Sequence, residues 1–370
     1  MVEEESNLLR ETEQVKILCF QNLSGLKGAT QFFFSIWNTR AARTIKSAIN
    51  TFNPDVIHLH NWHYSIGPIV VRVAKKMGVP IVLTVHNFRL ICPSAILLHR
   101  DSLFLDSIHV SFPWKAVKNK VYRNSWAQTF WLAFVNWFHK EIGTWKMIDR
   151  LVFLTGFSKN IFLSSTLEIE NSKISIKPNF IQDPGIKETE RKDFFLFVGR
   201  LSVEKGVLVL LEAFKISKNK LCIVGDGPLK QKVLDACGKS DNISYAGRLP
   251  RNEVLKMMSE CSALIFPSIW YEGMPMTLIE AFAEGTPVIA SDIGAMSFMI
   301  KDGYNGIHFS AGNPVDLAAK VDTWSSLPRH SANQFSKRAR LSYLENYTPE
   351  KNKKMLLAIY TEVINNKSTS

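Results

Sequence analysis

Two carboxylates carry the densest chemical information in this chain of 370 residues. Glu272 and Glu280 stand in Ser268-Ile-Trp-Tyr-Glu272-Gly-Met-Pro-Met-Thr-Leu-Ile-Glu280-Ala-Phe-Ala-Glu-Gly285. Pro275 suits a first helical position, where its missing N–H costs nothing, and Gly285 suits a left-handed helix end, so a helix is expected from Met276 to about Gly285. That leaves Glu272 in the loop before the helix and Glu280 on its first or second turn. The amides of Gly273, Met274, Met276 and Thr277 then surround a positive helix end, which attracts phosphate. One carboxylate can accept hydroxyls of a sugar and the other those of a ribose, with a diphosphate between them. The same spacing also describes a surface loop entering a half-buried helix, with both acids solvated.

Gly199-Arg200-Leu201-Ser-Val-Glu204-Lys205-Gly206 follows a strand-like run and places two cations where a diphosphate could be gripped from both sides. Stabilising charge on a departing phosphate is the main lever a protein has on such a departure. Gly225-Asp226-Gly227-Pro228 is a second strand-end turn, but Lys230 stands where a dinucleotide fingerprint needs its third glycine, so a dehydrogenase loses weight. Gly225 and Gly227 are read as permitting close packing near a nucleotide, with Arg248 and Leu249 as contacts to the base. His86, just past the run Val82–Val85, is a candidate for hydrogen bonds to a sugar or phosphate. His58, His60 and His63 cluster around Asn61, yet their spacing matches none of the common zinc patterns. No D-x-D occurs, so no metal site is expected and Arg200, Lys205 and the helix end must neutralise the charge.

These residues need strand ends to hold them. Strand-like runs occur at 15–19, 55–58, 81–84, 151–154 and 173–176, then at 194–198, 221–224, 243–245, 263–266 and 288–290. Many are apolar throughout, the mark of parallel strands covered by helices on both faces, so the expected class is α/β with doubly wound sheets. The polar stretch from Pro178 to Asp193 reads as a linker. The expected division is a first domain at 1–180, a nucleotide-sugar domain at 181–348, and a final amphipathic helix at 349–370 that completes the first domain.

Five cysteines form no C-x-x-C pair and fit a reducing compartment, and the acidic start lacks a secretory pattern, so a cytoplasmic location is expected. A net charge of +12 calls for an anionic partner. Residues 111–150 interleave Lys115, Lys118, Lys120, Arg123, Lys140, Lys146 and Arg150 with Trp114, Trp126, Trp131, Trp137 and Trp145, which suits an anionic membrane surface. The uncharged run after Arg123 falls short of the roughly 20 residues that span a bilayer. Trp126, Phe130, Phe134, Trp137 and Phe138 share a face that could equally bury in a core. No nucleic-acid motif accompanies them, and no nucleic-acid partner is expected.

Taken together, Gly199-Arg200-Leu201 with Glu204-Lys205-Gly206, Gly225-Asp226-Gly227-Pro228-Leu229, Pro267-Ser268, Glu272 to Glu280-Ala281 and Gly285-Thr-Pro287 resemble the retaining glycosyltransferases of family 4. In the first half, Pro54-Asp55-Val-Ile-His58-Leu-His60-Asn61 and Thr84-Val-His86-Asn87 are similar to members that build bacterial surface polysaccharides. The resemblance implies the GT-B fold, two facing Rossmann-like domains, and a metal-independent transfer of a hexose from a UDP- or GDP-sugar to a lipid-linked or growing glycan acceptor. It implies no cofactor. It assigns Arg200 and Lys205 to the diphosphate, Glu280 to the ribose, Glu272 and the following amides to the transferred sugar, and His86 to the sugar and phosphate. Work at the inner face of a membrane follows from the same likeness. The family's opening strand and glycine loop are expected to be absent, with residues 1–10 as the following helix and 13–17 as the second strand. An alternative alignment takes 15–19 as the first strand and Gly25 and Gly28 as the loop. Two other readings stay open: a non-catalytic sugar-nucleotide or membrane-associated partner, and a GT-B epimerase.

Overall fold

The computed structural model describes residues 2–21, 25–61, 65–100, 102–185 and 190–368; His63 lies outside them. The chain forms two compact units, Met1–His99 with Phe104–Pro178 and Asn352–Ser370, and Arg100–Leu103 with Asn179–Lys351.

The first unit is built on a four-stranded parallel sheet in the order β1 (Ile57–His60), β2 (Ile81–Val85), β3 (Arg150–Phe153), β4 (Ile174–Ile176). Every residue of β2 and β3 is buried, Thr84 and Arg150 included, as strands covered by helices on both faces require. The helix Pro349–Ser368 supplies one cover: Ile359 and Val363 pack on Val82 and Val152. Residues 14–21, expected to hold a strand, carry no regular structure, and Leu18 is exposed. Lys16 and Gln14 interrupt the apolar run, and without a neighbouring strand its backbone gains nothing from extension. Gly25 and Gly28, the alternative glycine loop, lie in the helix Gly25–Phe33.

The tryptophan-rich segment folds as a helix, Trp126–Glu141, capped by the Ser125 hydroxyl, which accepts from the Gln128 amide. Its two sides divide. Thr129, Leu132, Ala133, Val135, Asn136 and His139 are buried, and the His139 Nε2 is 2.7 Å from the Ile36 carbonyl. On the other side Trp126, 54% exposed, stacks on Phe130 with an interplanar angle of 6°, and Phe130 stacks on Phe134. Trp114, Phe33, Phe34 and Trp37 are exposed as well, and Phe33 packs against Trp131. The aromatic face, expected to bury in a core or at a membrane, is exposed at Trp126 and half-buried at Phe130, Phe134, Trp137 and Phe138. Among the described residues no helix is long and apolar enough to cross a membrane.

A buried ion pair closes the first unit. Lys177, just past β4, donates to Glu5 on the helix Val2–Leu9, and the two side chains are 2% and 4% exposed. Lys177 also donates to Asn352 Oδ1 at 3.2 Å, while the Asn352 amide donates to the Pro178 carbonyl at 2.7 Å. Three distant stretches are thus tied together at one point.

The second unit is a six-stranded parallel sheet. Its strands are β5 (Phe195–Val198), β6 (Leu221–Val224), β7 (Ile243–Gly247), β8 (Ala263–Phe266), β9 (Val288–Ser291) and β10 (Gly306–Phe309), in the order β10-β9-β8-β5-β6-β7. The chain builds outward from β5 in one direction, then returns to its other side with β8. Strand order therefore reverses between β5 and β8, the crevice where ligands bind in open α/β sheets. β10 was not expected: Gly-Ile-His-Phe is short and mixed in polarity, and its identity as a strand comes from pairing with β9.

Removing one partner of the Glu5–Lys177 pair leaves an uncompensated buried charge. Glu5→Leu or Lys177→Met alone is expected to destabilise the first unit by about 3–5 kcal/mol. The double replacement should recover most of that loss. Urea denaturation of the four proteins checks both statements.

Candidate active site

A cavity of about 330 Å³ opens at the reversal point of the second sheet, lined by Val198, Gly199 and Arg200 after β5, by Phe266, Pro267 and Ser268 after β8, and by Lys205, Glu272 and residues 274–277. Glycines let the loops close this tightly. A Cβ on Gly225 would lie 1.8 Å from the Gly199 carbonyl oxygen, and one on Gly227 would lie 2.5 Å from that of Leu201. One on Gly206, which also holds φ +70°, would lie 1.8 Å from the Pro267 oxygen. Gly225 and Gly227 thus pack loop on loop and do not themselves line the cavity.

The helix of the glutamate segment runs Met276–Ala283, with Pro275 as its N-cap rather than its first residue. Met276 and Thr277, whose amides have no acceptor within the helix, line the cavity. Gly285 ends the segment at φ +65°, as its type foretells.

Glu272 is the electrostatic centre. Its Oε1 accepts from Lys205 Nζ at 2.6 Å, Ser268 Oγ at 2.8 Å and Trp270 Nε1 at 2.8 Å, and the residue is 7% exposed. Three donors on one oxygen fix the carboxylate and leave Oε2 to accept from a ligand. Lys205 follows a short turn, Val203–Lys205, and lies over the rings of Phe266 and Trp270 at 5.8 and 5.5 Å. The aromatic contacts and the carboxylate together hold its flexible stem in one place. Arg200 is exposed, and its guanidinium has no side-chain partner among the described residues. Glu280 lies one turn into the helix, 3.1 Å from Arg251 Nε, and does not line the cavity.

The structure thus brings together Arg200, Lys205, Glu272, Met274, Met276 and Thr277. Gly273 lies beside them in the chain but outside the lining; Arg248 and Leu249, exposed and half-buried, also lie outside it. Ser268 and Trp270 were missed as partners of Glu272, although their places four and two residues before it mark them as within reach. Arg251, the partner of Glu280, had no such signal because 29 residues separate the pair.

His86, in the first unit, lies one residue past β2, with its Nε2 2.9 Å from His60 Nδ1. Burial foremost lowers both imidazoles from the ordinary 6.5 to about 4. His58 is held between Tyr360 Oη and Thr84 Oγ1, each at 2.7 Å, and burial likewise lowers its value. Among the described residues no group of three or more His, Cys, Asp or Glu side chains forms a metal-binding cluster.

A parallel sheet whose strand order reverses over a cationic cavity, in a chain that carries a second parallel α/β sheet unit, is the layout of the GT-B glycosyltransferases. Two family profiles cover the chain between them: "Glycosyltransferase Family 4" over residues 25–183 and "Glycosyl transferases group 1" over 179–342. The chain belongs to glycosyltransferase family 4 and is a retaining glycosyltransferase. It is 27% identical over 278 residues to an uncharacterised glycosyltransferase of Methanocaldococcus jannaschii, covering 75% of this chain and 67% of that one. It is also 27% identical over 277 residues to an Escherichia coli enzyme named UDP-Gal:alpha-D-GlcNAc-diphosphoundecaprenol alpha-1,3-galactosyltransferase, across 68% of this chain and 61% of the relative. Anabaena HepE, crystallised with UDP and glucose, shares the fold at a TM-score of 0.64 and 15% identity, over 96% of this chain and 88% of its own.

Two measurements test this description. Gly206→Ala must move the Pro267 carbonyl as well as adopt a left-handed backbone, and should destabilise the second unit by at least ~2 kcal/mol. Gly303→Ala, at the same φ of +70° but with open space around its Cβ, should cost less. For the histidines, the unfolded chain binds protons below pH 6.5 that the folded first unit refuses until about pH 4. Their contribution to stability is whole above 6.5 and declines as pH falls through that window, which urea midpoints measured across it will show.

Proposed function

We propose that this glycosyltransferase moves a hexose from a UDP- or GDP-sugar to a lipid-linked or growing glycan, as part of surface polysaccharide synthesis at the inner face of a bacterial membrane. The observation that carries the reading is the cavity itself, which Arg200, Lys205 and the first helical residues Met276 and Thr277 line together with the fixed carboxylate of Glu272. A diphosphate fits the donors, and a sugar hydroxyl fits the open Oε2 of Glu272. Glu280 is the ribose contact in this reading, reached when Arg251 gives way. His86 is the further contact to the donor sugar.

In the reaction the bond between the sugar's anomeric carbon and the phosphate oxygen breaks, with its electron pair leaving on the phosphate. Arg200, Lys205 and the helix end stabilise that charge as it develops, which is their catalytic contribution. The acceptor hydroxyl attacks the anomeric carbon from the face the phosphate leaves. Its proton passes to the departing phosphate oxygen, so the configuration is retained and no protein nucleophile is used. The Escherichia coli relative, named for a diphosphoundecaprenol-linked acceptor, and Anabaena HepE, crystallised with UDP and glucose, support the acceptor and donor classes.

The aromatic surface of the first unit supports the membrane half of the proposal. Trp114, Trp126, Phe33 and Phe34 are exposed beside the exposed cations Lys118, Lys120 and Arg123, the pairing of rings and charge that suits anionic headgroups.

Arg200→Ala and Lys205→Ala are each expected to lower kcat by about 10²–10³-fold. Calorimetry with UDP and GDP should find one of them bound, and the double variant should lose it. Transfer unchanged in both single variants would end the site assignment. Flotation with vesicles containing anionic lipid should recover the protein, and a Trp114→Ser, Trp126→Ser variant should float less at equal catalytic activity on a soluble acceptor.

A further inference from the structure

The first unit contains a chain of polar contacts that ends at His86. Parallel pairing sets His60 beside Thr84 and His58 beside Val82, and the two-residue period of a strand puts both histidines on one face. The His58 and His60 rings lie 4.1 Å apart, so His58, pinned by Tyr360 and Thr84, limits the motion of His60. Glu5 Oε2 is 3.6 Å from His60 Nε2, while its Oε1 accepts from Lys177. His60 Nδ1 then meets His86 Nε2 at 2.9 Å.

The charge at the far end gives this chain a direction. Lys177 partners Glu5 as a carboxylate, and a carboxylate only accepts. At 3.6 Å the Glu5 oxygen lies outside hydrogen-bond distance of His60 Nε2, but its charge favours the tautomer with the proton on Nε2 over the one that sets a lone pair against an anion. Its Nδ1 is then an acceptor, so the proton shared with His86 belongs to His86 Nε2. A neutral imidazole has one N–H, which leaves His86 Nδ1 bare. Burial keeps both rings neutral near pH 7, so neither gains a second proton to blur this order.

We propose that Glu5, acting through His60, fixes His86 as its Nε2–H tautomer, so that His86 Nδ1 accepts a hydrogen bond from a hydroxyl of the transferred sugar. The inference rests on the proposed role of His86 as a donor-sugar contact and narrows it. A bare lone pair accepts from a hydroxyl and repels an anionic phosphate oxygen, so the contact is to the sugar and not to the diphosphate. Glu5 and His60 are positioning residues that touch no substrate. Nothing in their sequence positions links them, because Glu5 and His60 stand on different elements and Lys177 lies 172 residues from Glu5.

The test uses the full chain labelled with ¹⁵N-histidine and long-range ¹⁵N–¹H correlation spectra near neutral pH, with His86 assigned through His86→Gln. His86 should show a protonated Nε2 and a bare Nδ1, in a tautomer ratio above about ten to one. In Glu5→Gln and in His60→Phe that ratio should fall toward parity. The second variant keeps the Glu5–Lys177 pair intact, so it decides the matter if the first does not fold. A protonated Nδ1 in the unaltered chain, or an unchanged His86 signal in His60→Phe, overturns the relay. On the kinetic side, His60→Phe should raise the donor KM by about three- to tenfold while leaving the affinity for the free nucleoside diphosphate unchanged. Equal losses for donor and nucleotide would overturn the hydroxyl assignment. Turnover and donor KM unaffected by His86→Ala would instead remove the sugar contact from the proposed function, with the spectra still deciding the relay.

Discussion

The second unit's site depends on three places where backbone meets backbone with no room for a side chain. Gly225 over Gly199, Gly227 over Leu201 and Gly206 against Pro267 draw together the loops that leave β5, β6 and β8. Only because these loops touch can Lys205, carried by the β5 loop, reach Glu272, carried by the β8 loop. The glycines therefore act before any ligand does. They set the depth of the cavity, and the charged side chains then decorate a wall whose position is already determined.

Each unit also carries a Lys–Glu pair, one enclosed and one at a cavity, and the two are built differently. Glu5 and Lys177 are enclosed, with Asn352 taking up a further donor hydrogen of the ammonium, so the pair joins three stretches of the unit. Glu272 and Lys205 are less enclosed, at 9% and 24% side-chain exposure, and the donors from Lys205, Ser268 and Trp270 all meet one oxygen of the carboxylate. A pair that must only hold is completed by the protein. The second pair faces a cavity, and in the proposed function its open side is where the ligand makes its contact.

The legibility of this protein follows the range of the forces involved. Strands buried on both faces announce themselves as unbroken apolar runs, and the runs at 81–84, 151–154, 194–198 and 263–266 fall within a residue of the strands. The cavity's cations and Glu272 were legible because glycine and proline chemistry fixes short loops locally, within a few residues of each strand. What distance separates was hidden. Lys177 reads as an ordinary strand-end lysine until Glu5 arrives from the start of the chain, and Arg251 reads as a helix-opening surface residue until Glu280 lies beside it. Val15–Cys19 failed for the converse reason: its composition suits a strand, but a strand exists only where a neighbour offers hydrogen bonds. The aromatic helix lay between these cases, since a period of 3.6 shows that a face exists and not how many neighbours cover it.

The helix Pro349–Ser368 belongs to the first unit from Asn352 onward, although the stretch Asn179–Lys351 before it belongs to the second. During synthesis, then, the first unit's sheet leaves the ribosome well before the helix whose Ile359 and Val363 cover Val82 and Val152. The second unit has all its strands in hand earlier and can finish folding while the first still exposes part of its core. At roughly 5–20 residues per second, that interval lasts some ten seconds or more, the period in which a nascent chain of this kind has greatest need of a chaperone.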